Sequence, residues 1–85
     1  MDDVTLTNLP NVLLREGFNP DSYRVYGGLG ANERYVLDVG PAGWEVYYCD
    51  LRGMKDGLRV FQTEGEACAY FLELLRRDPT TRRQQ

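Results

Sequence analysis

Asp38, Glu45 and Asp50 lie close enough along the chain to be drawn as an acid–base set. Carboxylates work in pairs when their surroundings split their pKa values, so that one holds a proton while the other is ionised. These three sit on or beside a strand pattern of alternating polar and apolar residues, where acids are ordinarily solvated. The chain has no histidine, so the commonest general base is missing and a Cys–His pair is impossible. Ser22 is the only serine, and nothing near it marks it as an activated nucleophile. Cys49 and Cys68 have neither CxxC spacing nor a histidine beside them, which argues against a zinc site. They read as buried thiols, with a disulfide or redox pair as the alternative. Gly27-Gly28-Leu29-Gly30 has the glycines of a phosphate loop. It lacks the following helix and the Lys-Ser/Thr pair, and so reads as a flexible hairpin loop. No catalytic residue, cofactor or metal site is expected, and the chain reads as a non-enzyme.

Binding is better supported than catalysis. Six tyrosines and one tryptophan are more than a core of this size can hide. Tyr48 and Tyr70 read as core. Tyr47 points away from Trp44, between Glu45 and Cys49, and with Arg34 and Asp38 on the preceding strand it makes an amphipathic face. Asp50 and Arg52 adjoin that face in a loop. Tyrosine and arginine are favoured at protein interfaces because they combine large contact area with a polar tip. The competing reading is an ordinary solvated face with cross-strand pairs. A platform for single-stranded nucleic acid also uses strand aromatics, but it needs a basic surround. Residues 1–78 hold eight basic against thirteen acidic residues, a net of −5, and the formal charge of the whole chain is −3. An acidic body argues against nucleic-acid binding and would suit a basic partner. Mild acidity that only maintains solubility is the alternative.

The elements that must position these residues follow from periodicity. Asn8 to Glu16 is expected to be a short helix, with Thr7 or Asn8 as cap, Pro10 in its first turn and Gly17 ending it so that Phe18 folds back on Leu13. Asn19-Pro20-Asp21 is a turn. Alternation predicts strands over Ser22–Tyr26, Glu33–Val39, Trp44–Cys49 and Leu58–Phe61. Gly40-Pro41-Ala42-Gly43 is a tight reversal, and Asp56-Gly57 is a turn signal closing the loop from Asp50. Thr63-Glu64-Gly65-Glu66 is a capping box. After it, Ala67, Tyr70, Phe71, Leu74 and Leu75 make one helical stripe, and Glu73 and Arg77 an i,i+4 pair. Leu72 lies off that stripe, facing the first helix or a partner. Pro79 stops the helix.

The fold expected is α+β: a four-stranded antiparallel meander with the C-terminal helix covering one face and a short N-terminal helix at an edge or beside it. The expected core is Leu37, Val39, Trp44, Val46, Tyr48, Leu58 or Phe61, Ala67, Tyr70, Phe71 and Leu74. Residues 1–79 make a single domain and 80–85 a disordered polar tail. With 42% hydrophobic and 27% charged residues, the composition is that of a globular domain. No apolar run approaches the ~18 residues of a membrane span, and MDDVTLTNLP is unlike a secretory signal. A cytoplasmic protein with no membrane partner is expected.

The segment from Arg34 to Pro79 resembles small bacterial immunity proteins of polymorphic toxin systems. The likeness is carried by Trp44-Glu45-Val46-Tyr47-Tyr48, Arg52-Gly53, Gly57-Leu58-Arg59-Val60-Phe61 and Thr63-Glu64-Gly65-Glu66-Ala67-Cys68. It covers a little over half of the chain, and much of it is core and capping. It implies a protein that binds a cognate secreted toxin domain in the cytosol and blocks its active site or substrate access. Partner contacts are then expected at Arg34, Asp38, Glu45, Tyr47, Asp50 and Arg52, against a toxin whose cleft would be basic if it attacks nucleic acid. The alternative is a small adaptor or regulatory protein-binding module without catalytic activity.

Overall fold

The computed structural model describes residues 4–26 and 32–82. The chain runs α1 (Leu9–Arg15), β1 (Tyr23–Val25), β2 (Arg34–Gly40), β3 (Gly43–Cys49), β4 (Lys55–Phe61) and α2 (Glu64–Arg77), with 3₁₀ turns at Pro20–Ser22 and Pro79–Thr81. The strands form one sheet in the order β1-β2-β3-β4.

The fold is α+β, but the sheet is mixed. β2, β3 and β4 are an antiparallel meander, whereas β1 runs parallel to β2 with Tyr23 opposite Tyr35. A parallel neighbour normally needs a long crossover. Here β1 is only three residues long, about 10 Å, and the eight residues between Val25 and Arg34 have ample reach to return over that distance. The glycine-rich segment 27–31, read above as a hairpin loop, lies outside the described residues.

The Asp56-Gly57 pair is not a turn. It lies within β4, where Gly57 takes φ +67°. Val46 pairs with Arg59 and Tyr48 with Asp56, so β4 carries one extra residue opposite Tyr47. This is a β-bulge with glycine in the left-handed conformation, and it strengthens the local twist. The loop that remains is Asp50–Met54. The Asp50 carboxylate closes it by accepting from the backbone N–H groups of Arg52 and Met54, both at 2.9 Å.

α2 begins where Thr63 Oγ1 accepts from the Glu66 N–H at 3.2 Å. The Glu66 carboxylate accepts the Thr63 hydroxyl proton at 2.9 Å, so the box closes between side chains. The helix lies across β2, β3 and β4. It buries Ala67, Cys68, Phe71, Leu72 and Leu75. α1 ends as predicted: Gly17 has φ +76°, and the Phe18 N–H returns to the Leu13 carbonyl at 3.2 Å.

The core is larger on the N-terminal side than expected. Leu9, Leu13 and Phe18 are buried in one cluster with Leu37, Val46 and the α2 stripe, and Leu72 joins them there. The two helices lie side by side with like ends together. The Leu6 N–H donates to Glu64 Oε1 at 2.8 Å, and Arg76 pairs with Glu16. Of the residues expected in the core, Val39 is instead 56% exposed; of the alternatives Leu58 and Phe61, Phe61 packs on the cluster and Leu58 is 44% exposed. Val39 sits at the end of the β2–β3 hairpin, and Leu58 is on the opposite face. Phe61, Trp44 and Tyr70 are half-buried against the cluster.

The segment expected to be a disordered tail from Thr80 is ordered as far as Arg82. Thr81 is buried and donates its hydroxyl to the Leu75 carbonyl at 2.6 Å. The Asn19 N–H donates to the Thr81 carbonyl at 2.7 Å, and Arg82 lies over the Phe18 ring. Residues 83–85 lie outside the described residues.

Candidate functional site

Opposite residues of an antiparallel pair share a face. The register pairs Arg34 with Cys49, Val36 with Tyr47 and Asp38 with Glu45, so all six lie on one side of the sheet. The helix-facing side carries Tyr35, Leu37, Trp44, Val46 and Tyr48. Four of the six residues expected to bind, Arg34, Asp38, Glu45 and Tyr47, are therefore brought together on the outer face. No described helix packs on it. Asp50 and Arg52 follow in the loop after β3.

The face is ordered by its own polar contacts. Glu45 folds over Gly40, where a Cβ would fall on its carboxylate. Its Oε1 accepts from Lys55 Nζ at 3.1 Å, and the same ammonium lies 4.9 Å above the Tyr47 ring. The hydrogen bond that Lys55 donates to Glu45 holds the Lys55 pKa above its ordinary value. Tyr47 is 3% exposed and forms a small second cluster with Val36 and Cys49. Burial raises its pKa. Tyr47, expected to lie open on this face, is instead buried: Val36 flanks it across the strand pair and Lys55 covers it. Arg34 donates Nε to the Asp21 carbonyl at 3.1 Å. Asp38 Oδ1 accepts from the Val39 N–H at 2.8 Å.

Asp50 is chiefly a loop-closing residue. The Met54 N–H, first among several donors, lowers its pKa. Arg52 Nη2 pairs with Asp50 Oδ2 at 3.3 Å and its side chain is otherwise open to solvent. Beside it, Leu51 and Met54 are 69% and 59% exposed, and Leu58 and Val60 of β4 are also exposed.

Sequence reasoning missed Lys55 by leaving it in a loop, and missed this aliphatic rim. Reading Asp56-Gly57 as a bulge rather than a turn would have extended the strand to Lys55. A hollow of about 440 Å³ lies between α1 and the edge strand β1; Pro10, Leu13, Leu14 and Arg34 are among its walls.

The three carboxylates drawn as an acid–base set are separated in role. Glu45 is ion-paired, Asp50 holds a loop, and Asp38 caps a backbone N–H. Among the described residues no group of three or more histidines, cysteines or acids could hold a metal, and no helix is long and apolar enough to cross a membrane. Compared with protein-family models, curated proteins and solved structures, the chain gives no match in any of the three.

Proposed function

We propose that this chain is an immunity protein. It binds a cognate secreted toxin domain in the cytosol and blocks the toxin's active site or the entry of its substrate, with no chemistry of its own. The observation that supports this most is the bare outer face of the sheet: fixed charges at Arg34, Asp38, Glu45 and Lys55, rimmed by exposed Leu51, Met54, Leu58 and Val60. Exposed aliphatic groups beside ordered charges are the composition of a protein-binding patch. The acidic balance of the chain favours steering toward a basic partner. The resemblance of the 34–79 segment to immunity proteins points the same way.

The test is co-expression with the product of the adjacent upstream gene. A toxic product, growth rescued by this chain and a complex that co-purifies are the expected results. A harmless neighbour, or two proteins that never co-purify, would sink the proposal and leave the adaptor reading.

A further inference from the structure

On the helix-covered side, the register places Tyr35, Tyr48 and Asp56 in a row across β2, β3 and β4. Over that row α2 presents Tyr70, Leu74 and, at its C-cap, Asp78, one residue per turn. The two rows and Gly57 enclose an open pocket of about 320 Å³. The Tyr35 and Tyr48 rings meet edge to face, with centroids 5.0 Å apart. The Tyr35 hydroxyl donates to Asp78 Oδ2 at 3.0 Å. Burial, then that hydrogen bond, pushes the Tyr35 pKa up to about 12, while hydrogen bonds led by the Thr80 hydroxyl keep Asp78 ionised. Among the described residues, the Asp56 carboxylate and the Tyr48 and Tyr70 hydroxyls have no hydrogen-bond partner.

Three phenol rings and two carboxylates, with no basic residue among the described residues of the lining, select a cation. A metal ion would need a set of oxygen ligands that the described acids do not assemble. A planar, weakly hydrated guanidinium fits better, because it can stack on a ring while its N–H groups reach carboxylate and phenol oxygens. The chain shows this pairing at the same helix: Arg59 lies 5.1 Å from the Tyr70 ring centroid. We propose that this pocket receives an arginine side chain of a partner protein. That the arginine comes from a protein rests on the function proposed above; the chemistry of the pocket does not.

The probe is N-acetyl-L-arginine amide, titrated into isotopically labelled protein and followed by amide chemical shifts. Saturable shifts at Tyr48, Gly57, Tyr70 and Leu74 are expected. Binding should be about fivefold weaker in Asp56→Asn, which removes a full charge from the wall. N-acetyl-norleucine amide should leave the same signals in place. The pocket is not a guanidinium site if the shifts fail to saturate, map elsewhere, or persist unchanged in a folded Asp56→Asn. In the co-expressed complex, Asp56→Asn should weaken capture by a similar factor. Capture that ignores this change while the amide still binds would overturn the pocket as a docking site for the partner. Saturable amide binding with no partner complex at all would instead sink the immunity reading and leave the pocket's specificity standing.

Discussion

Tyr47 shows how a residue's type can suggest one role and its surroundings assign another. It is 3% exposed although no described helix covers its side of the sheet, because Val36, Cys49 and the Lys55 ammonium close around it. Tyr47→Ala should therefore cost about 3 kcal/mol of stability, as for other buried aromatics, whereas Arg52→Ala should stay within about 0.5 kcal/mol. Urea titrations of the two variants check this, and equal midpoints would show that the outer cluster carries no load. Tyr35 gives a pH prediction. Its folded pKa, about 12, lies above the ordinary value of 10.0, so the folded state holds this proton more tightly. The stability it contributes is complete below pH 10 and is lost as pH rises toward 12. Tyr35→Phe should flatten that alkaline decline in thermal melts. Cys68 is buried and free, with its pKa pushed up to about 11 by burial and next by the charge of Glu64. It should react with a thiol reagent at pH 8 only after denaturation, because the thiolate is the reactive form; fast labelling of the native protein at Cys68 would contradict its burial.

Among the elements, β4 depends on one backbone angle. Gly57 has φ +67° and open space where a Cβ would stand, so Gly57→Ala meets no steric contact. The cost is conformational alone, about 1–2 kcal/mol. A calorimetric melt showing no loss would mean that the bulge has moved. The α1–α2 contact is held at one end by Glu16, whose pKa is lowered first by its hydrogen bond to Arg76. That stability is present above the ordinary carboxylate pKa of 4.5 and lost as pH falls below it. Because both side chains are partly exposed, a double-mutant cycle of Glu16→Gln and Arg76→Gln should give a coupling under about 1 kcal/mol at pH 7. The elements also show what the sequence could and could not convey. α2 was legible because cap, stripe and proline stop are all local signals. β2 to β4 were legible because tight reversals force antiparallel neighbours. The direction of β1 was not, since it depends on the path of a connection rather than on the strand's residues. Gly57 was misread because a glycine after aspartate signals a left-handed residue equally well in a turn and in a bulge. The shared face of Arg34, Asp38, Glu45 and Tyr47 follows from a period of two, but the burial of Tyr47 depends on Lys55, whose position the bulge decides.

At the scale of the whole molecule, α1 and α2 pack on one side of the sheet, and among the described residues no helix covers the other. The edges are poor templates for self-pairing: β1 has three residues, and β4 carries Lys55, Asp56, Arg59 and a bulge. Strand addition at an edge is thus a poor route to association. Leu51 is 69% exposed and Val60 43%, and Val60 stands directly opposite Glu45. Leu51→Asp and Val60→Lys therefore remove little that the fold buries and set no like charges opposite each other across the sheet, and their melting curves should match the parent within about 1 kcal/mol. In a complex that covers the rim, each would place a charge against a desolvated surface, and affinity should fall at least about tenfold, or 1.4 kcal/mol. Asp38→Lys tests the charged centre of the face in the same way. Glu45→Lys is a poorer probe, because it would set two ammonium groups together beside Gly40 and so unsettle the fold. Calorimetric titration of the purified partner against these variants separates the two surfaces. Weakened binding in Leu51→Asp and Val60→Lys places the partner on the outer face. If both bind as the parent does while Asp56→Asn is weakened, the partner instead approaches from the α2 side, and the outer face is only the solvated back of the sheet.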